Sequence, residues 1–260
     1  MFTTIGLTMA LAATGPGIAA PAQQVKFASI WEQPADNAAL DDWYRRTHSR
    51  EARQSVGQWL TGYVAFRGYD VPAQADAFNV VRYRLTEMSY ASAAAAAEAQ
   101  TAWQPLSPPP IDKAGFPDKT RIATIWVPVV PTEKYLPAFP KARATYLRWV
   151  FFMRYPPGVS LEAGEAWFTK VHAPEIAKTP GVRRFVCAKT IHPIKVASDW
   201  VRMCDVWFDD YAAWQAASAT EPSRVTPPPW AKARPYLEYI SIFTAPHPDM
   251  DFLHDGYRVP

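Results

Sequence analysis

The chain has 260 residues, 49% of them hydrophobic, which is enough to bury one large core or two ordinary ones and excludes global disorder. Its 27 basic and 24 acidic residues leave a net charge of +3 with no basic block or stripe, so nucleic acid is excluded as the expected partner. The two cysteines show no CxxC or Cys/His spacing, which excludes a zinc motif.

Residues 1–24 come first. FTTIGLTMALAAT is apolar and uncharged, Gly15-Pro16-Gly17 breaks it, and Ala20-Pro21-Ala22 has the small-x-small form of a signal-peptidase site. The run is too short for a membrane span, and no Lys or Arg precedes it. It reads as a signal peptide or a disordered start. The expected location is periplasmic or secreted, with cytoplasmic as the alternative, and no other span looks membrane-embedded.

VKFASIW (25–31) is a predicted strand. Asp36 or Asn37 can cap a helix to about Gln54, with Leu40, Trp43, Tyr44, Thr47 and His48 on one stripe. Strands are predicted at 63–69 and 78–85, an alanine-rich helix over 87–102 and a strand at 121–129. A proline-bearing linker, 132–145, follows. The second half gives strands at 146–155, 182–191, 200–208 and 236–244, helices at 160–178 and 209–219, and a tail at 248–260.

The halves repeat. WYRRTHSREARQSVG (43–57) matches WFTKVHAPEIAKTPG (167–181) at a constant offset of 124, and SPPPIDKA (107–114) matches TPPPWAKA (226–233). The repeats are 25–131 and 146–247, each of order β-α-β-β-α-β. That order is α+β and ferredoxin-like, with both helices on one sheet face. The bare faces are expected to pack together as an intramolecular dimeric α+β barrel. Apolar residues on both parities of 146–155 fit such burial.

Trp167-Phe168, His172-Ala173-Pro174-Glu175 and Thr179-Pro180-Gly181 together resemble the motif of the EthD family, as does Asp205-Val206-Trp207-Phe208 at a later strand-to-helix junction. The first half keeps Trp43, Tyr44, His48 and Glu51 but has Ser49-Arg50 in place of Ala-Pro. The resemblance implies a dimeric α+β barrel. That superfamily includes isomerases, cyclases, monooxygenases, dehydratases, haem proteins and members without activity, so the fold does not set the reaction.

His172 and His48 are the expected catalytic groups, each four residues after an aromatic, with imidazoles able to move a proton near neutrality. Glu175 and Glu51 lie three residues on and are expected to hold the ring tautomer. Asp205 reads as a second acid/base, or as a carboxylate paired with Arg183 or Arg202. Trp43, Tyr44, Trp167, Phe168, Tyr83, Trp207 and Arg82 are the expected lining for a flat aromatic or polyketide-like small molecule. The plainer reading makes the histidines packed residues and the aromatics core.

Without a phosphate loop, GxSxG or dinucleotide fingerprint, no cofactor is expected. A haem reading, by superfamily analogy, would make His48 or His172 the axial ligand. His247, Asp249, Asp251, His254 and Asp255 lie in a stretch that reads as a surface extension rather than a metal site. Facing residues of a 182–191/200–208 hairpin have numbers summing to about 391. Cys187 and Cys204 meet that sum, so a disulfide is one reading and two small buried hydrophobes the other.

The expected function is a cofactor-independent lyase, dehydratase, isomerase or cyclase. The chain would be a monomer with a pseudo-dimeric barrel or a homodimer. The alternative is a non-catalytic binding or accessory protein for an apolar compound.

Overall fold

The computed structural model describes residues 22–32, 34–104, 106–108, 122–137, 145–193, 198–221 and 224–254. Nearly all of the expected leader lies outside them. The strands are β1 (Val25–Trp31), β2 (Leu60–Arg67), β3 (Val80–Val81), β4 (Arg84–Tyr90), β5 (Ile122–Pro128), β6 (Glu133–Leu136), β7 (Leu147–Arg154), β8 (Val182–Lys189), β9 (Arg202–Phe208), β10 (Glu238–Thr244) and β11 (Met250–Asp251). The α-helices are α1 (Asn37–Trp43), α2 (Ser49–Val56), α3 (Ala93–Ala102), α4 (Leu161–Trp167), α5 (Ala173–Ile176) and α6 (Tyr211–Thr220). Among the described residues no helix is long and apolar enough to cross a membrane.

One sheet has the order β11-β2-β4-β1-β5 and the other β3-β10-β7-β9-β8-β6. Within each, the repeat's own strands run second, third, first, fourth, all antiparallel, which is the ferredoxin-like order. The outer strands are exchanged. β6 follows the first repeat yet pairs with β8 of the second, and β11 follows the second yet pairs with β2 of the first. The expected linker and tail therefore each supply an edge strand. Both are too short to carry an alternating pattern, which is why the sequence hides them.

Period-two alternation sorts the side chains. Opposite one another on β1 and β4 are Ser29 and Thr86, and Phe27 and Met88, with Ala28 facing Glu87 and Ile30 facing Leu85 between them. The first set meets the helices. Ala28, Ile30 and Leu85 join Val150, Phe152, Met203, Ile240 and Ile242 of the other sheet in one buried cluster between the sheets. A second cluster, with Trp149, Phe151, Cys187, Cys204 and Val206, lies under the second repeat's helices. β7 is buried along both faces, as the apolar residues of both parities imply.

The expected strand at 78–85 falls instead at 84–90, and the helix after it starts at Ala93, not 87. Asn79, at φ 48, turns the chain so that Val80–Val81 pairs in parallel with β10 of the other sheet. Residues 84–90 pair on both sides, with β1 and β2, and the ladder overrides their helical propensity. Ser92 Oγ then accepts from the Ala95 N–H and starts the helix.

Candidate functional site

The first long helix starts where Asp36 accepts hydrogen bonds from the N–H groups of Ala38 and Ala39. Between α1 and α2 it widens into a π-helical turn, Tyr44–His48, closed by the Ser49 N–H donating to the Tyr44 carbonyl. The second repeat has the same turn at Phe168–His172, closed by the Ala173 N–H on Phe168. Each insertion ends on the histidine. Such one-turn bulges recur at functional sites.

The bulge brings a second aromatic onto each imidazole. A five-residue turn aligns position i with i+5. The Trp43 and His48 rings lie 4.8 Å apart, and Trp167 and His172 stack at 4.5 Å. The aromatics four residues back are further away, Tyr44 at 5.1 Å and Phe168 at 5.7 Å. Trp31 of β1 closes the first box at 5.4 Å, edge-on to His48. The boxes are thus tryptophan-led, and the aromatics four residues back also meet the rings, as the spacing read from the sequence implies.

Both rings face inward, and both Nδ1 atoms are buried without a hydrogen-bond partner. His172 is 5% exposed, while His48 is only half-buried. Burial disfavours the imidazolium. It pushes His48 down to about 4, with nearby Glu51 opposing, and His172 to about 3, where the Arg234 guanidinium pushes the same way. The rings are therefore neutral near pH 7. Each imidazole is packed against a tryptophan and its Nδ1 is buried, an arrangement that does not fit an axial haem ligand through that atom.

The expected glutamate role is corrected. Glu51 accepts from the Ser107 N–H and Oγ at 2.7 and 2.6 Å, and Glu175 from the Thr226 N–H and Oγ1 at 2.7 and 3.0 Å. Each ties the helix to the Ser/Thr-Pro segment of its own repeat. Asp205 is corrected too. It accepts from Arg148 Nε at 2.9 Å and Trp207 Nε1 at 2.6 Å, so neither it nor Trp207 reaches a histidine. Its partner Arg148, rather than Arg183 or Arg202, comes from the neighbouring strand. Arg148 continues to Glu87 of the other sheet, which holds Lys26 at 2.9 Å. This chain of charges bridges the two sheets.

Arg82 and Tyr83 belong to neither aromatic box. With Asn37, Asp41, Arg67, Gly68 and Asp70 they line a polar cleft of about 430 Å³ at the end of β2. Cys187 and Cys204 face one another in the ladder and are disulfide-bonded on the helix-facing side.

The sequence reading missed a repeated buried pair. Arg84 and Arg202 are 0% exposed, on equivalent strands. Arg84 donates to Asp41 at 2.6 Å and lies 3.6 Å from Asp249, beside β11. Arg202 binds Glu165 and, at 2.7 and 2.9 Å, Glu133 of β6. Each arginine thus locks its own helix to the strand received from the other half. The signal was available, because Asp41 and Glu165 are acids separated by the repeat offset of 124.

No family model and no curated protein matches the chain. The chain is a duplicated dimeric α+β barrel. Solved structures of similar outline include an anthrone oxidase-like protein (TM-score 0.48, 13% identity, 92% of this chain and 97% of that one). A mutant chlorite dismutase from Candidatus Nitrospira defluvii gives 0.44 and 9%, over 85% and 90%. Likenesses this distant carry nothing about the reaction of the duplicated barrel. Its fold follows from the strand orders themselves.

Proposed function

We propose that the duplicated barrel, an EthD-like protein, acts on a small aromatic molecule by cofactor-independent proton transfer at His48, in a lyase- or isomerase-type reaction. The observation that carries this is the half-buried His48 ring, with an unpartnered Nδ1, held by a π-helical turn among Trp31, Trp43 and Tyr44. An imidazole kept neutral by burial accepts a proton from an acidic C–H or O–H and returns it, or polarises a carbonyl as a neutral donor. His172 carried the stronger family motif, but its near-complete burial moves the proposal to the first repeat. The Cys187–Cys204 bond supports an oxidising compartment.

A second reading has its own observation. No described carboxylate bonds to either imidazole, since Glu51, Glu175 and Asp205 are engaged elsewhere. That favours binding without turnover. Enolisable aryl ketones in D2O separate the two, with deuterium incorporation followed by NMR. Catalysis gives exchange that His48→Gln abolishes and His172→Gln retains, with both variants folded. Tryptophan quenching by the same ketones without exchange selects the binding reading, and exchange that survives His48→Gln ends the catalytic one.

A further inference from the structure

The polar cleft of about 430 Å³ has no part in the His48 reading. Asp41 precedes His48 by seven residues along the helix, and the two groups serve different spaces. Its volume falls within the range of small-molecule sites, roughly 300–1,000 Å³.

Three features restrict what it can hold. The first is charge. Arg67 and Arg82 are matched by Asp41 and Asp70, so the walls carry no net charge to favour an ion. Each charge is also partnered. Arg67 Nη2 donates to Asp41 at 2.8 Å, and Arg82 lies 2.5 Å from Asp76 and 3.6 Å from Asp70. A charged ligand would have to displace one of these partners. A hydroxyl need not, because it donates to a carboxylate and accepts from a guanidinium at once.

The second feature is rigidity. Of the lining groups, Asp41 is held from behind by the buried Arg84 at 2.6 Å and accepts from Tyr83 Oη at 3.0 Å. Gly68 lets the β2 end pass so close that an added Cβ would stand 2.7 Å from the Arg82 carbonyl carbon. Its N–H donates to the Tyr83 carbonyl at 2.7 Å. Asp41, Tyr83 and the Gly68 backbone are therefore held in place before any ligand arrives, while Arg67 and Asp70 stand at the exposed rim.

The third feature is the other repeat, which serves as an internal control. There the equivalent acid is the longer Glu165, surrounded by Tyr155, Lys189 and Arg202. Glu133 of β6 makes two bonds into that corner. In the first repeat the equivalent acid is the shorter Asp41, which lines the cleft, and Asp249 stands 3.6 Å from Arg84. The duplication kept the arginine–carboxylate lock in both halves and opened a cleft beside the first.

We infer that this cleft binds a neutral, hydroxyl-rich small molecule of mono- or disaccharide size, held between paired guanidinium and carboxylate groups. The test uses the full chain with glucose and maltose, at concentrations on the order of 10 mM. Saturation-transfer NMR and calorimetry read binding, with gluconate and glucosamine as charged controls. Arg67→Ala and Asp70→Ala alter rim side chains 60% and 99% exposed, so the melting transition stays in place. Each is expected to weaken the neutral sugar by at least about tenfold. Lys189→Ala in the other repeat leaves binding unchanged. The inference is overturned if neither sugar binds, if a charged control binds more tightly, or if both rim variants bind like the parent.

Discussion

At the scale of single residues, the two imidazoles set the acid response. An ordinary histidine titrates near 6.5, while burial holds His48 at about 4 and His172 at about 3. The unfolded chain therefore takes up these protons first as pH falls. Their stabilisation is complete above about 6.5 and is lost between there and the depressed folded values. Across its full window His48 contributes up to about 3 kcal/mol and His172 up to about 5 kcal/mol. Glu221 works in the opposite sense. Burial outweighs its Arg234 partner and raises it to about 7, so its neutral form favours the fold at low pH and that contribution fades as pH rises from 4.5 toward 7. We predict that thermal melts of the wild type fall as pH goes from 6.5 to 4.5, and that His172→Gln flattens this slope. An unchanged slope in that variant would show that His172 is not neutral in the fold.

At the scale of elements, two devices hold strands in place. The first is the β8–β9 hairpin, where Cys187 and Cys204 are directly opposed and separated by 17 residues. Removing that cross-link by Cys187→Ala with Cys204→Ala is expected to cost about 3 kcal/mol in urea denaturation. Alkylation of denatured wild type without reductant should label neither thiol. The second device is the arginine lock. Glu133→Ala leaves the buried Arg202 with Glu165 and Lys189 competing for the same carboxylate, and about 2–3 kcal/mol is expected to be lost. Asp249→Ala removes a longer contact, 3.6 Å from Arg84, and is expected to cost under about 1 kcal/mol. Equal losses would show that the two exchanged strands are held alike. The glycines matched between repeats also differ at this scale. Gly181 sits at φ +91 in the Pro-Gly turn and needs a glycine, whereas Gly57 at φ −56 does not.

At the scale of the whole molecule, the sheets are joined by packing and by one buried chain of charges, Lys26–Glu87–Arg148–Asp205. The Lys26 ammonium and Arg148 guanidinium outweigh the burial of Glu87 and hold it down at about 2. Glu87→Ala strands Lys26 and half of Arg148 between the sheets, and a loss of about 3 kcal/mol or more is expected. Replacing all four members by Met or Leu is expected to cost less than that single change, because no uncompensated charge then stays buried. Chemical denaturation compares the two variants directly. A larger loss in the fourfold variant would mean that the charges, beyond their mutual satisfaction, stabilise the barrel.

The sequence by itself determined the duplication, the element order and the two inward histidines. A repeat offset and a period of polar and apolar residues are local properties of the chain, readable without coordinates. The Cys187–Cys204 pairing was within reach for the same reason, since hairpin register is arithmetic once the turn is placed. Only the tertiary structure decided what each polar side chain meets. Glu51 and Glu175 turn to Ser107 and Thr226, Asp205 to Arg148, and Arg82 and Tyr83 to a separate cleft. The exchange of β6 and β11 was hidden as well, because the partners that make those short segments into strands lie in the opposite repeat. A buried charge takes whichever opposite charge the fold brings within about 3 Å, and that neighbour sits far away in sequence.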